Sequence, residues 1–318
     1  MLCLSRLRFG LIVLLVAAIL ASAVSCRPGA QKKPAPTRFA KEPEISLYVN
    51  ETGEKKKIKL EDYVAGVVAA EMEPTWPVNA LAAQAILART FTMENIQAGR
   101  VKKLHGTDAS TSVEEFQAYD PSRITDNVRK AVQVTRGEVV TYNGKYIKAW
   151  FSACDGGISS SAKEGLAYTK TPTPYVKANV RDNCLSITTP ENKQWTVRVP
   201  LAKVRAAVQK ITGKDPGNIS QAAIARKGPS GRAETIKLGN VTVGGPALRL
   251  ALGSEVMRST LLENIAVQGD QLVMTGRGFG HGVGMCQWGA HLMARQGKSP
   301  EEIVKFYYQN VSIDKLYP

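Results

Sequence analysis

Gly276-Arg277-Gly278-Phe279-Gly280-His281-Gly282-Val283-Gly284-Met285-Cys286-Gln287-Trp288-Gly289-Ala290 is the most informative stretch of this chain. Glycine holds five alternate positions from 276 to 284. In an extended chain alternate residues share a face, so the glycines would line one side and Arg277, Phe279, His281 and Val283 the other. A bare glycine face lets a second backbone or a flat ligand approach closely. A phosphate loop is disfavoured, because no three glycines fit G-x-G-x-x-G and no G-K-[ST] follows. Two readings stay open: a ligand-facing strand, or a tight structural crossing with His281 as an internal hydrogen-bonding residue. Residues 285–296 then read as a helix stopped by Gly297, and Ser299-Pro300-Glu301-Glu302 opens a last helix with a capping box.

Upstream, residues 45–49 read as a strand. Residues 59–72 read as a helix, with Leu60, Tyr63, Val64, Val67 and Val68 at helical spacing. Pro74-Thr75-Trp76-Pro77 breaks it, and an Ala-rich helix over 78–98 ends at Gly99. Residues 138–142 and 145–152, joined by Asn143-Gly144, form the strongest hairpin signal in the chain. Between 194 and 274 a helix (201–211) mixes with short strands (235–238 and 240–243), which marks about 195–274 as a candidate subdomain.

The apolar stripe of the 59–72 helix continues onto Glu71, flanked by Ala69, Ala70 and Met72. Burial disfavours the charged form of a carboxyl group and raises its pKa. An acid kept protonated near neutral pH can serve as a general acid. The competing reading points Glu71 into water at the helix end, and spacing alone does not separate the two. Gln84 and Arg89 are polar groups on the alanine surface of the second helix, as suits close packing with a few directed hydrogen bonds or an ordinary helix surface.

Arg6 and Arg8 precede an apolar run over residues 11–23, too short for a comfortable membrane span, and Ala23-Val24-Ser25-Cys26 follows. This is the layout of a secretory signal peptide over residues 1–26. Cys26 stands where a bacterial lipoprotein is cleaved and acylated, giving a membrane-anchored envelope protein. Ala23 replaces the usual leucine there, and cleavage after Ala21-Ser22-Ala23 would instead release a soluble product. Residues 27–43, rich in Pro, Lys, Arg and Ala, read as a linker to a domain over 44–318. The formal charge is +15, from 42 basic and 27 acidic residues. The basic residues are scattered and not interleaved with aromatics, which fits anionic envelope polymers or lipid headgroups and argues against nucleic acid as a partner. Of five cysteines, Cys154, Cys184 and Cys286 remain in the body of the chain. Outside the cytoplasm a Cys154–Cys184 disulfide is expected, leaving Cys286 over. The competitor is a metal site of all three thiolates; with no C-x-x-C pair, the expectation is no metal and no cofactor.

Taken together, Val68-Ala69-Ala70-Glu71-Met72, Trp76-Pro77, Ala80-Leu81-Ala82-Ala83-Gln84-Ala85 with Ala88-Arg89-Thr90, Phe151-Ser152-Ala153-Cys154-Asp155-Gly156-Gly157, the segment from Gly278 to Ala290, and Tyr307-Tyr308 resemble the SpoIID/LytB family of stage II sporulation protein D and the amidase enhancers. The resemblance runs over most of the chain after the linker, in the family's order. It implies an α+β fold with a substrate cleft. The family's sporulation members use the glutamate matching Glu71 as the acid of a lytic transglycosylase. Some members bind zinc between the second helix and the central hairpin. This chain keeps His105 there but has Ser110, Glu115 and Phe116 in place of further ligands. Cys154, Cys184 and Cys286 resemble those of another subset, whose pairing the resemblance does not give.

The reaction implied is non-hydrolytic cleavage of the glycan between N-acetylmuramic acid and N-acetylglucosamine, with Glu71 acting first as acid and then as base. One carboxyl group suffices when the nucleophile is the sugar's own hydroxyl, whereas ordinary glycoside hydrolysis uses two. Gln84, Arg89, Ser152, Gly280, His281, Gly282 and Gln287 are the candidates for contacting sugar. The alternative from the same resemblance is a non-catalytic peptidoglycan-binding module that stimulates a partner cell-wall amidase.

Overall fold

The computed structural model describes residues 38–318. The export segment, Cys26 and most of the linker lie outside the described residues. Among those described, no helix is long and apolar enough to cross a membrane.

The fold is α+β, with helices packed among several small sheets. Glu44–Tyr48 pairs antiparallel with Lys55–Lys59 and parallel with Ala109–Ser110. The helix Leu60–Glu71 follows directly and ends at Met72. Pro74 disfavours helical geometry at Glu73 and so prevents its continuation. The long helix Val78–Ala98 comes next and closes on Gly99, whose φ of 64° is the left-handed cap that glycine adopts without penalty. Its second and third turns are buried all round. Leu81, Ala82, Ala85 and Ala88 face a core built with the first helix, the helix Asp126–Val134 and the N-terminal strand. Ala83, Ile86 and Leu87 face a second core built from the hairpin, the glycine segment and the C-terminal helices. A helix apolar on every side belongs in the interior, and alanines let both layers come close to its axis.

A third core runs from Trp195 to Met274. There Trp195–Pro200, Gln271–Gly276 and Leu262–Gln268 form one antiparallel sheet, and Ala222–Lys227, Ala233–Leu238 and Val241–Gly244 form another. The helix Leu201–Thr212 packs with Gly245–Leu252 beside them. The last helix, Pro300–Tyr307, carries the expected capping box: Ser299 Oγ accepts from the Glu302 N–H, and the Glu302 carboxylate accepts from the Ser299 N–H.

Two sequence expectations need correction. The hairpin turns at Asn143-Gly144 as expected, but its second strand stops at Tyr146. Phe151–Ser152 leaves to pair in parallel with Met285–Cys286. The glycine segment is not an extended strand, for reasons given below.

Two buried side chains tie the first core together. Glu61 Oε2 accepts from Arg89 Nη2 at 2.6 Å, and Glu61 Oε1 accepts from Arg89 Nε, the Gly137 N–H and the Tyr317 hydroxyl. Arg89 Nη1 donates to the Glu138 carbonyl at 2.8 Å. Both helices, the start of the hairpin strand and the chain's last residues thus meet at one carboxylate. Glu61→Ala would leave the guanidinium buried and unpaired, so it should lower stability by about 3–5 kcal/mol in urea unfolding. A loss below about 1 kcal/mol, the scale of an exposed pair, would show that the site relaxes into water.

Candidate functional site

Glu71 sits on the last turn of the first helix, half-buried. The segment from Phe116 to Asp120 crosses that helix. It is held by the Asp120 N–H donating to the Gly66 carbonyl and by the Ala118 N–H donating to Glu71 Oε1 at 2.9 Å. Gly66 is what allows the crossing: a Cβ there would stand 2.4 Å from the Tyr119 ring. Tyr63, two turns before Glu71 on the same face, stacks on Tyr119 at 5.4 Å and meets Phe116 at 6.1 Å. These rings exclude water. Burial raises the Glu71 carboxyl to about 7, and the single Ala118 N–H only partly opposes it. Position adds to the effect, since the C-terminal end of a helix disfavours an anion. Among the described residues Glu71 has no ion-pair partner. The arrangement is a lone carboxylic acid that exchanges its proton near neutrality, as acid–base work requires.

The residues around it were not singled out from sequence. Tyr63 was visible as an apolar-stripe residue, and its spacing of eight from Glu71 is the signal that the two share a face. The segment 116–120 carries no such signal, because its place depends on tertiary packing.

The sugar-contact candidates fare differently. Arg89 has no exposed surface and is committed to Glu61, so the structure removes it from a substrate surface. Gln84 and Gln287 are also buried and bonded to each other at 3.3 Å, joining the long helix to the helix Gln287–Arg295. Ser152 is buried and its Oγ accepts from the Gly282 N–H. His281 is half-buried; its Nδ1 accepts from the Val283 N–H at 3.0 Å, so its proton is on Nε2, toward the Phe151 carbonyl. Burial, with Arg249 and Arg232 nearby, lowers its pKa to about 3, so it stays neutral. Among the described residues no hydrogen bond or ion pair joins His281 to Glu71. Each belongs to its own neighbourhood.

The glycine face meets protein. Gly278, Gly280, Gly282 and Gly284 have φ of 82°, 112°, 71° and 75°, left-handed values that an extended strand lacks. A Cβ would stand 2.9 Å from the Cys154 carbonyl at Gly278 and 2.6 Å from Ser152 Cβ at Gly280. It would stand 2.0 Å from Arg232 Nη2 at Gly282 and 2.0 Å from the Trp150 carbonyl at Gly284. The backbone is bonded throughout: Phe279 and Cys154 exchange both bonds, the Gly280 N–H reaches the Arg258 carbonyl, and the Ser160 N–H reaches the Gly282 carbonyl. Of the two readings left open, the tight structural crossing is the one observed.

The Cys154–Cys184 disulfide expected from the sequence is not formed. All three cysteines are free, and the Cys154 and Cys184 sulfurs are 3.5 Å apart. The zinc position between the second helix and the hairpin, raised by the resemblance, is not matched by the residues present. His105 stacks on Tyr48 and pairs with Glu115 at 2.8 Å, and no thiol accompanies them.

An α+β frame presenting one half-buried acid and a glycine crossing defines the class. A stage II sporulation protein family model matches residues 48–142, and a domain of unknown function (DUF8618) matches residues 167–284. Stage II sporulation protein D of Bacillus subtilis is 31% identical over 312 residues, covering 92% of this chain and 85% of that one. An uncharacterised protein of Brachyspira hyodysenteriae is 35% identical over 260 residues, 81% of this chain and 67% of that one. The amidase enhancer of Bacillus subtilis is 26% identical over 292 residues, 78% of this chain but 40% of its own length. The chain belongs to the stage II sporulation protein D family.

Because the glycines meet protein, Gly282→Val and Gly284→Val should destabilise the fold by about 1–3 kcal/mol or more through overpacking, seen as a lower urea midpoint. Variants that kept wild-type midpoints and lost only glycan binding would return this face to the substrate.

Proposed function

We propose that this chain is a peptidoglycan lytic transglycosylase of the cell envelope, with Glu71 as its acid and base. The observation that carries the reading is the environment of Glu71: a single carboxyl group, protonated up to about pH 7 by burial. Glu71 would give its proton to the glycosidic oxygen as the bond to muramic acid C1 breaks. The resulting carboxylate would take the proton of the C6 hydroxyl as that oxygen attacks C1. The glycan is cut, a 1,6-anhydro end forms, and Glu71 recovers its proton without water entering the balance. The tethered hydroxyl supplies the nucleophile at high effective concentration, so the second carboxylate of ordinary glycosidases is not needed. Family membership supports this reading, and the net charge of +15 suits an anionic polymer.

The similarity to an amidase enhancer favours a second reading, in which the chain binds peptidoglycan and stimulates an amidase. Export, and acylation at Cys26, belong to the same proposal under either reading.

Three rings reach the surface near the end of the first helix and replace the buried polar groups as candidates for glycan contact. Trp76 and Trp288 lie edge to face at 4.7 Å, and His291 is 4.4 Å from Trp76; all three are half-buried.

Incubation of intact and peptide-stripped glycan strands with the purified chain should release products with 1,6-anhydro ends. Glu71→Gln, which keeps the shape and removes the proton, should release none. Anhydro products from the Gln variant at the wild-type rate would remove Glu71 from the chemistry. No cleavage by wild type, together with stimulation of an added amidase, would establish the second reading.

The pH dependence follows from the same residue. The general-acid form is lost as pH rises through about 7, so kcat/KM should fall above that pH. The folded-state pKa lies above the unfolded value of about 4.3, so the protonated acid contributes stability below that value and the contribution fades as pH rises through about 7. Unfolding free energy of wild type should therefore decline relative to Glu71→Gln between about pH 4.5 and 7. Parallel curves for the two proteins would mean that Glu71 titrates as an exposed carboxylate.

A further inference from the structure

Away from Glu71, five buried metal-ligating side chains converge from three separate parts of the chain. Cys154 and Asp155 stand at the turn after Phe151–Ser152, Asp182 and Cys184 in the loop before residue 190, and Cys286 at the start of the helix Gln287–Arg295. The sulfurs of Cys154, Cys184 and Cys286 lie within 4.8 Å of one another, as do ligand atoms of Asp155, Asp182, Cys184 and Cys286. Cys184 and Cys286 belong to both sets. Every one of these residues is buried.

Three features separate this cluster from a chance grouping of thiols. First, Asp155 is 1% exposed and its Oδ2 has no hydrogen-bond partner, while its Oδ1 accepts from the Gly157 N–H. A buried carboxylate oxygen without a donor is costly. Second, the Cys286 sulfur accepts backbone N–H groups of Asp155 at 3.4 Å and Gly289 at 3.3 Å, so two backbone donors orient it. Third, neither Asp155 nor Asp182 is in an ion pair among those described. The cation beside them, Arg232, is fully buried and donates to the Asp155 and Ile158 carbonyls and to Ser230 Oγ. Arg232 is thus the guanidinium bonded at this cluster, and a divalent cation would add positive charge beside the two buried carboxyl groups.

We propose that Cys154, Cys184 and Cys286 bind a zinc-type divalent ion, and that the Asp155 carboxyl group, which meets Cys184 and Cys286 but lies outside the all-thiol set, swings in as the fourth ligand. Thiolate ligands select zinc among the common divalent ions. Two thiolates on a tetrahedral zinc, with bonds of about 2.3 Å, stand about 3.8 Å apart; Cys154 and Cys184 are already at 3.5 Å. The ion displaces the thiol protons and crosslinks the Asp155 turn, the 182–184 loop and the start of the Gln287–Arg295 helix. All four ligands are buried, so the site is structural and has no position open to glycan. Gly156, Gly157, Asn183 and Leu185, close in sequence to the ligands, line a surface depression of about 310 Å³ together with Arg181 and Arg277. The metal would also hold the three thiols apart from oxidation in an exported protein. The site is distinct from the His105 position, and it does not depend on the role of Glu71.

The test is cobalt(II) titration of the full chain after reduction and removal of metal. A thiolate-to-cobalt charge-transfer band and tetrahedral visible bands should saturate at one equivalent, and zinc should abolish both. Asp155→Asn should retain the thiolate band and weaken binding by about tenfold or more. Cys286→Ser should lose the tetrahedral spectrum; should that variant fail to fold, Asp155→Asn carries the test. No cobalt–thiolate band in the folded wild type would overturn the site, as would a Cys154–Cys184 disulfide found by non-reducing peptide mapping of metal-free protein as isolated. Unchanged affinity in Asp155→Asn would remove Asp155 as a ligand and overturn the four-ligand assignment.

Discussion

The ion pair between Glu61 and Arg89 is the constraint on which the first half of the fold rests. A buried carboxylate is tolerable only when its oxygens are occupied. Those of Glu61 take donors from Arg89, Gly137 and Tyr317. Because these come from the long helix, the start of the hairpin strand and the C-terminus, the pair ties the first two helices together. Glu71 is carried on the first of these helices. It lies ten residues after Glu61 on the same helix, and the depth of its burial depends on how the 116–120 segment is drawn across the helix at Gly66. The burial that raises the Glu71 carboxyl is thus supplied by a segment from elsewhere in the chain.

A second buried cation organises the other half. Arg232 reaches in from the third core to bond carbonyls of Asp155 and Ile158, and Gly282 leaves it room. The glycine crossing, the Asp155 turn and the thiol cluster therefore share one packed knot. The density of unusual residues there reflects close packing of backbone on backbone. The segment that looks most like a ligand site is largely internal, whereas the proposed catalytic residue sits in a plainer helix.

Much of this was legible in the sequence, and its failures have physical causes. Helix periodicity, Gly99 as a stop, Asn143-Gly144 as a turn and the Ser299–Glu302 capping box are local signals, and each agrees with the fold. The stripe through Glu71 placed a carboxyl group on a face that turns out half-buried. Alternation of glycine left a ligand-facing strand and a tight crossing both open because spacing does not reveal φ; left-handed glycines at every second residue give the same sequence pattern as an extended face and a different shape. Arg89 and Gln84 in the alanine-rich helix, and Gln287 after the glycine segment, were offered to the sugar because a polar residue carries no mark of its partner in the sequence. Those partners, Glu61 for Arg89 and the two glutamines for each other, come from distant parts of the chain or depend on helix packing. The cysteines were read first as a pair, with a three-thiolate metal site as the competitor, because spacing alone does not show which sulfurs meet.

The central claim is that one acid works twice and water takes no part. Digestion of peptide-stripped glycan in water enriched in oxygen-18 tests it most directly, with the new muramic acid ends read by mass spectrometry. Intramolecular attack by the C6 hydroxyl predicts anhydro ends with no heavy oxygen. New reducing ends carrying oxygen-18 at C1 would show that water is the nucleophile and would contradict the account.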